Sequence, residues 1–573
     1  MLPGVRIALL RRLARHAPLR YEPRLAEALV TRSQQVSIRP TFIARRAAAA
    51  EEAVALYRRL DGDQPGRHRV GLARALVAQA AIPDDHTVAS AIAQGREAIG
   101  YVEDTDDREA LVVLAEARRL VAASLHFTGS TREALPLALR ARATWLSCRP
   151  VGAGERMGLA RTLIVIGDCR AVLGRPEEAL AAHQEAMDLY RALPLFRQAR
   201  WAPTGHAAAT GLAASLAAVE RWEDALVVAE EVRAELESPL WLRLQPRQAR
   251  TALGRLLRTV ADCREGLGEP EAAIRTAEQA VAHQRWLVEA SPPAHPAGLA
   301  DSLHVLGTLL TRAGRRDEAT DRLAEAVDLA RGIDDDVILA RALLDLSDLH
   351  IETGHQAAVE ALLAEAVPLC RTNAEELPEV WRPRLAHALA VTCALWAFPP
   401  PPGAVAREPV TPDGETASGN AADALAAGRE AVELARTLAG ADGRYRDLLA
   451  GCLFGLERAV NGVGDPLGAS ELLRECVSIR RELFRGDPAK HRLRLAEALG
   501  NLGNRLHVLD RWDEAVDAHR ECVALLRDGG AEIPPGQLLR PLRNLEITLV
   551  RLGQHDEAGR VADEIARIEE GAE

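Results

Sequence analysis

Lysine is almost absent from this 573-residue chain: Lys and Arg together number 71, yet Lys490 is the only lysine. A phosphate-binding P-loop requires a Gly-Lys pair, and the single lysine lies in DPAKHR, so nucleotide hydrolysis of that type is excluded. Schiff-base chemistry would have to use the same residue. The sequence therefore argues against two large enzyme classes.

Other catalytic and metal-binding motifs are missing as well. There is no H-E-x-x-H, no G-x-S-x-G and no C-x-x-C, and the eight cysteines are scattered. Unpaired cysteines without a signal peptide favour a reduced, cytoplasmic chain with structural thiols. A Cys–His dyad assembled from distant segments stays open as an alternative, because catalytic partners meet in space. We predict a protein that is not an enzyme and needs no cofactor and no metal.

Aromatic residues make up only 3% of the chain, whereas hydrophobic residues make up 48%. The apolar residues are chiefly Ala, Leu and Val, which favours an all-α class. The net charge is −11 and no basic face is visible, so we expect no nucleic-acid partner. No apolar run reaches the length of about 18 residues that a transmembrane helix needs, so we expect no membrane partner.

The N-terminal segment MLPGVRIALLRRLARHAPLR is basic and amphipathic. Its apolar run is short, is interrupted by Arg6, and is followed by no small-residue cleavage pattern, which argues against a targeting peptide. We interpret it as the second helix of a partial first repeat. The apolar end of such an array would lack a polar cap, and a second copy of the chain could pack there.

A short phrase recurs along the chain as GRPEEAL at 174, GEPEAAI at 268, GRRDEAT at 314 and DRWDEAV at 510. Seven residues after its alanine comes a second small residue, as in Ala179/Ala186 and Ala319/Ala326, so both lie on one helix face. Twelve residues before the same alanine, the preceding helix often carries another small residue, such as Gly167, Gly307 or Gly503. Facing small residues allow two helices to approach closely.

The turn between the two helices also has a signature. Prolines at 176, 270 and 466 stand where the second helix begins, a position that tolerates a missing N–H. Five residues before the key alanine, a glycine is expected to end the first helix in the left-handed conformation. These glycines are Gly129, Gly174, Gly268, Gly314, Gly354, Gly419, Gly464 and Gly553.

This pattern of helix, glycine turn and helix resembles the tetratricopeptide repeat. Successive key alanines are mostly 43 to 48 residues apart, however, whereas the ordinary unit repeats every 34 or so. The helices should therefore be longer, as in the long-repeat variety that resembles actinobacterial regulatory proteins. The resemblance implies an all-α, right-handed superhelical solenoid of about 11 to 12 hairpins.

One interval, from Val359 to Ala424, is 65 residues long and contains the proline-rich stretch FPPPPGAVAREPVTPDGETASGN. Proline cannot continue a helix, so we predict a loop between the two helices of one hairpin. A proline-rich docking segment is the alternative. The predicted organisation is an N-terminal array over 1–398 with a partial first repeat, an insert over 399–420, and a C-terminal array over 421–573 that continues the solenoid.

The resemblance also implies a concave groove lined by the first helix of each hairpin, at positions 18, 15, 11, 8 and 7 residues before the key alanine. A groove that alternates Arg and Asp would suit an extended polar segment of a partner. The alternative is that these charges pair with one another across adjacent repeats and only solvate the wall. The predicted groove residues are Arg161, Asp168, Arg255, Arg258, Asp262, Asp301, His304, Arg341, Asp348, Glu497, Asn504, His507, Arg540 and Arg543.

Our functional hypothesis is a non-catalytic adaptor or regulatory scaffold that binds a protein or peptide in this groove. The resemblance implies a separately encoded effector as partner, such as an ATPase, a protease or a regulator. A sensor of a small signalling peptide or metabolite would use the same groove and predicts one compact pocket. A cryptic enzyme is a third alternative, and it requires a cluster of perturbed titratable groups in one cleft.

Overall fold

A computed structural model describes residues 3–34, 40–82, 88–290, 296–333, 335–396, 418–529, 534 and 536–570. Within these ranges the chain forms 26 α-helices and one 3₁₀ turn, and no strand. The prediction of an all-α fold is confirmed. The chain divides into two compact units, Met1–Ala342 and Leu343–Glu573, which are described separately.

The first unit consists of consecutive helices joined by short turns. It contains α1 (Pro3–His16), α2 (Pro18–Ser33), α3 (Pro40–Asp63), α4 (Arg69–Ala80), α5 (Val88–Val102), α6 (Arg108–Phe127), α7 (Thr131–Ser147), α8 (Ala153–Val172), α9 (Pro176–Arg191), α10 (Leu195–Ala218), α11 (Trp222–Leu236), α12 (Pro239–Leu244), α13 (Pro246–Gly266), α14 (Pro270–Ala290), α15 (Pro296–Arg312) and α16 (Arg316–Gly332). The next helix, α17 (Asp336–Thr353), spans the boundary between the units.

The second unit continues the same succession of helices. It contains α18 (Gln356–Glu376), α19 (Pro378–Trp396), α20 (Ser418–Ala441), a 3₁₀ turn (Gly443–Tyr445), α21 (Arg446–Gly462), α22 (Pro466–Gly486), α23 (Pro488–Val508), α24 (Trp512–Arg527), α25 (Gly536–Leu552) and α26 (His555–Glu570). Most of the proline-rich insert lies outside the described residues, and α20 already begins at Ser418.

Each unit is a stack of helical hairpins. In the described part of the first unit, seven hairpins follow one another from α2/α3 to α15/α16, and the short α12 is an addition between α11 and α13. The first helix of each hairpin also packs on the first helix of the next, for example α8 on α10 and α13 on α15. The first helices therefore form one layer and the second helices another, as in a helical solenoid.

Small residues allow the two helices of a hairpin to come close. Ala179 and Ala186, seven residues apart on α9, are completely buried. A Cβ atom added to Gly167 would lie 2.4 Å from the imidazole Nε2 of His183, so the histidine fills the space that this glycine leaves. His519 packs against Gly503 in the same way. Both histidines are packed in the core, as their place four residues after the key alanine indicates.

The glycine turns follow the predicted geometry. Seven of the eight predicted glycines have a φ between 71° and 86°, the left-handed region that closes a helix. The prediction for Gly419 was wrong: it lies in the first turn of α20, because the proline-rich insert replaces the tight turn in this hairpin. In the α10/α11 and α23/α24 hairpins, Glu220 and Asp510 adopt the left-handed conformation in place of the glycine.

Replacing Glu220 with glycine is expected to stabilise the α10/α11 turn by about 1 kcal/mol, because a side chain at positive φ is sterically strained. Glu220 has a φ of 60°, and Gly174 has a φ of 71° in the equivalent turn before α9. The control variant Gly174→Ala should lose a similar amount. Hydrogen exchange of the flanking helices measures both changes, and equal stability of Glu220→Gly and the wild type would contradict the expectation.

The cysteines are packed inside the helical layers. All eight cysteines are buried as free thiols, and burial raises the pKa of Cys169 and of Cys522 to about 12. These two thiols stay protonated at neutral pH, so they are poor nucleophiles.

Among the described helices, none is both long and apolar enough to cross a membrane. No cluster of three potential metal ligands occurs in the described ranges.

Candidate binding groove

Six of the predicted groove residues surround one cavity of about 320 Å³ in the first unit, which we call the polar cavity. The layer of first helices supplies them: α8, α13 and α15 each present a face to the cavity, and α17 closes one side. His183, from the second helix α9, was not predicted as a groove residue but also lines the wall. The six are Asp168, Arg255, Arg258, Asp262, Asp301 and Arg341.

Asp301 is the centre of an ion-pair network in this cavity. Its Oδ2 lies 2.9 Å from Nη2 of Arg258, and its Oδ1 lies 3.4 Å from Nη1 of Arg341. Burial disfavours the charged carboxylate, but the two guanidinium groups outweigh burial and hold the pKa of Asp301 below its ordinary value. Nη2 of Arg341 also lies 3.2 Å from Nδ1 of the buried His304. Arg258 and Arg341 therefore stabilise the wall of the groove through their ion pairs with Asp301.

Asp168 is held by neighbours on the other side of the cavity. Its Oδ1 lies 3.4 Å from Nε2 of His183, and Nδ1 of that histidine lies 2.8 Å from Oγ of Ser215. Burial opposes ionisation of Asp168, yet His183 and Arg255 lower the pKa of its carboxyl group. Asp168 is therefore a fixed negative charge at neutral pH.

Arg255 and Asp262 differ from the other charges of the cavity. They lie seven residues apart on one face of α13, about 10 Å along the helix axis. Both side chains are exposed, and neither makes a hydrogen bond or ion pair with any other residue in the described ranges. Asp262 faces the groove, but the atoms of the concave wall around it keep much of the bulk water away. This desolvation outweighs Arg258 and raises the pKa of Asp262 to about 6, so its carboxylate is charged at neutral pH. The two side chains are free to contact a ligand.

A second cavity, of about 360 Å³, adjoins the polar cavity and is mostly apolar. We call it the tryptophan cavity, because Trp241 of the short helix α12 lines it together with Pro203 and Leu236. The imidazole of His206 stands edge-on to the indole at 5.2 Å between ring centroids. Both cavities are lined by Thr210 and Arg255, so Arg255 stands where they meet.

The tryptophan cavity was not predicted from the sequence. α12 has no counterpart in the regular repeat, and the only signals were the 48-residue interval between Ala225 and Ala273 and the Ser-Pro pair that starts this helix. Ser238 caps it by accepting a hydrogen bond from the amide of Trp241. A long interval thus marked an added element, but not which side chain it would place in the groove.

The other predicted residues lie elsewhere. Arg161 pairs with Glu116 of the preceding hairpin at 2.8 Å. In the second unit, a cavity of about 290 Å³ is lined by Glu497, Asn504 and Arg540. Three further predicted residues of the second unit lie outside that cavity and contact other side chains. Asp348 pairs with His387 at 3.0 Å, His507 lies 3.2 Å from the hydroxyl of Thr548, and Arg543 pairs with Glu569.

Two sequence profiles described as tetratricopeptide repeat match residues 298–372 and residues 495–528. The first range includes Asp301 and Arg341 of the polar cavity, and both ranges coincide with helical hairpins of the structure. Both matched ranges are therefore tetratricopeptide repeats. No curated protein matches this chain significantly.

Solved structures with similar folds include a Rap protein complexed with competence and sporulation factor, which is 13% identical over 63% of this chain and 97% of that chain, with a TM-score of 0.39. The apo form of RapI is 10% identical over 74% of this chain and 99% of that chain, with a TM-score of 0.40. Aspartyl phosphate phosphatase F from Bacillus subtilis is 12% identical over 64% of this chain and 94% of that chain, with a TM-score of 0.39. Likeness this low does not bear on what this chain binds.

Proposed function

We propose that this protein is a non-catalytic adaptor or regulatory scaffold that binds an extended protein or peptide segment in the groove of its first unit. The observation that carries the proposal is the position of Arg255, which stands at the junction of the polar and tryptophan cavities without an ion-pair partner among the described residues. In this proposal the protein acts in the cytoplasm and its partner is a separately encoded effector.

The polar cavity and the tryptophan cavity favour ligand groups of different chemistry that are close to each other. A guanidinium group binds a carboxylate through two parallel N–H···O bonds, so Arg255 favours an acidic side chain or a C-terminal carboxylate. The tryptophan cavity beside it favours an apolar side chain. The carboxylate of Asp262, about two helical turns away on α13, favours a basic group or an amide. A peptide offers such groups in sequence, which supports this ligand class.

A sensor of a small signalling peptide or metabolite is the second candidate. The observation that favours it is the adjacency of the two cavities, because together they could enclose a compact ligand. The two candidates differ in length dependence. A sensor binds a short ligand as tightly as a long one, whereas a scaffold gains affinity as the segment extends along the groove.

Replacing Arg255 with alanine is expected to weaken peptide binding about 10- to 100-fold, the usual effect of losing a hydrogen bond to a charged group. Peptides are first selected on the wild-type protein from a random library with free C-termini. Fluorescence anisotropy then gives the dissociation constants of the wild type, Arg255→Ala and Trp241→Ala. Arg258 and Arg341 are left intact because they hold Asp301.

Arg275→Ala is the matched control, because Arg275 is an exposed arginine of α14 that lines neither cavity. It should bind the selected peptides like the wild type. The proposal also expects selected sequences to place an acidic group next to an apolar residue. Equal affinities of Arg255→Ala and Arg275→Ala would place binding outside this groove and sink the proposal.

A further inference from the structure

The second unit contains a cavity of about 560 Å³ that is rich in arginine, and we call it the arginine cavity. Helices α19, α21, α22 and α23 enclose it together with the 3₁₀ turn. Four arginines line its wall, whereas Asp447 is the only carboxylate among the lining residues. The arginines are Arg444, Arg458, Arg480 and Arg494.

Two of these arginines are neutralised by the protein. Arg494 forms an ion pair with Asp447, and Nε of Arg444 lies 2.7 Å from a carboxylate oxygen of Asp442. Arg458 is half-buried, and burial lowers the pKa of its guanidinium group although Glu497 and Glu457 oppose this. Glu457 is itself paired with another arginine, because its Oε1 lies 2.8 Å from Nε of Arg505. Acidic side chains thus act on three of the four arginines, and Arg480 is the fourth.

Arg480 is the decisive residue because it is 95% buried and has no carboxylate partner among the described residues. Its Nη1 donates to the backbone carbonyl oxygen of Arg494, and its guanidinium carbon lies 4.8 Å from the ring centroid of Phe454. Its Nε is buried and has no hydrogen-bond acceptor in that part of the chain. A buried charge without a counter-ion is strongly unfavourable, so an anion from outside is the missing partner.

We propose that the arginine cavity binds a small phosphate-bearing molecule, with its phosphate group on Arg480 and an apolar portion against the neighbouring wall. A phosphate monoester carries close to two negative charges and three acceptor oxygens, which matches several guanidinium groups better than a single carboxylate does. The volume fits a small organic ligand and exceeds what a bare ion needs. Ala390, Val391, Leu448 and Phe454 supply the apolar wall.

Two substitutions test separately whether the ligand needs the charge of Arg480 and whether it needs the empty volume of the cavity. Arg480→Met removes the cation and keeps a side chain of similar length. Gly451 lies inside α21 and lines the cavity, and a Cβ atom added there would meet no atom within 4 Å. Gly451→Leu therefore has room for its Cβ atom and should place its side chain in the cavity. Gly100→Leu on α5 is its matched control, because a Cβ atom on Gly100 also meets nothing within 4 Å.

The experiment is isothermal titration of the full chain with phenyl phosphate, inorganic phosphate and citrate in phosphate-free buffer. We expect phenyl phosphate to bind the wild type and Gly100→Leu equally, and more tightly than inorganic phosphate because of the apolar wall. Arg480→Met should weaken it about tenfold or more, and Gly451→Leu should abolish it. Thermal unfolding of each variant without ligand confirms that it is folded.

Three results would overturn the proposal. If Arg480→Met and Gly451→Leu, both folded, retained the affinity of the wild type, phenyl phosphate would bind outside the arginine cavity. No binding to the wild type would remove the site altogether. Citrate binding more tightly than phenyl phosphate would replace the phosphate assignment with a polycarboxylate one. Peptide binding in the first unit is measured separately, so neither proposal decides the other.

Discussion

Replacing Arg505 with methionine is expected to destabilise the α21 and α23 region by about 3–5 kcal/mol at neutral pH, the usual loss when one partner of a buried ion pair is removed. Glu457 on α21 is completely buried, and its Oε1 accepts a hydrogen bond from Nε of Arg505 on α23 at 2.8 Å. The other carboxylate oxygen, Oε2, has no partner among the described residues. Without Arg505, the carboxylate would be buried and uncompensated.

The pH dependence of this defect has a definite sign. Burial outweighs Arg505 and raises the pKa of Glu457 above its ordinary value in the folded protein. The folded state therefore holds this proton more tightly than the unfolded state, and stability from this group falls as pH rises from the unfolded pKa through the folded pKa. Removing Arg505 raises the folded pKa further. The defect of Arg505→Met should thus be large at pH 7 and smaller near pH 4, where Glu457 binds a proton in both states.

Hydrogen-exchange mass spectrometry is the appropriate measurement, because repeat arrays open locally rather than as one unit. Amides of α21 and α23 should lose protection in Arg505→Met. Arg436→Met is the control: Arg436 pairs with Glu475 between exposed side chains, so its loss should cost less than about 1 kcal/mol. The double variant Glu457→Leu/Arg505→Met should recover most of the stability. Equal losses at Arg505 and Arg436 would refute the argument.

Much of the fold could be predicted because its rules are local. A left-handed turn favours glycine whatever surrounds it, and seven of eight predicted glycines have positive φ. Small residues seven apart on α9 are buried because the helix period puts them on one face. Glu220 and Asp510 were not predicted at positive φ, since neither residue type demands that conformation. Their position five residues before the key alanine was the only available signal.

The sequence brought six of the predicted residues to one cavity, but it did not indicate which of their charges pair. The family's groove offsets brought Asp168, Arg255 and Asp301 to one cavity, because those offsets select one face of each first helix. Which charges pair depends on the side-chain conformations and on the rotation between hairpins, which a single sequence does not reveal. Three arginines have an aspartate seven residues later on the same helix, and none of them pairs with it. Arg161 pairs with Glu116 and Arg341 with Asp301, whereas Arg255 pairs with no residue in the described ranges.

The arginine cavity was not predicted from the sequence, although two of its lining residues stand at groove offsets. Phe454 and Arg458 stand 15 and 11 residues before the key alanine Ala469, which are two of the groove offsets, yet neither was selected from the sequence. Arg480 lies on the second helix of its hairpin, where no groove residue is expected. Its burial beside Phe454 depends on the space left by a neighbouring helix. Small residues such as Gly451 and Gly455 make room for the cavity, and sequence alone does not separate them from packing glycines.

Packing glycines can be tested directly in the α15/α16 hairpin, where Leu323 fills the space beside Gly307. Leu323 is completely buried, and a Cβ atom added to Gly307 would lie 2.6 Å from its Cγ. Leu323→Ala should lose about 2–5 kcal/mol, from lost burial and the cavity left behind. Gly307→Ala should lose about 1–3 kcal/mol, because the side chain or the helices must shift.

The double variant Gly307→Ala/Leu323→Ala decides between a packing role and a flexibility role for this glycine. If the glycine exists to admit Leu323, the new methyl group occupies vacated space, and the double variant should be more stable than Leu323→Ala alone. Gly451→Ala is the control, because a Cβ atom there meets no atom within 4 Å, and it should gain up to about 1 kcal/mol from helix propensity. Hydrogen exchange of α15 and α16 gives the four values of the cycle. Strictly additive losses would mean that the close approach of Gly307 and Leu323 contributes nothing specific, and that small residues in these hairpins act on each helix separately.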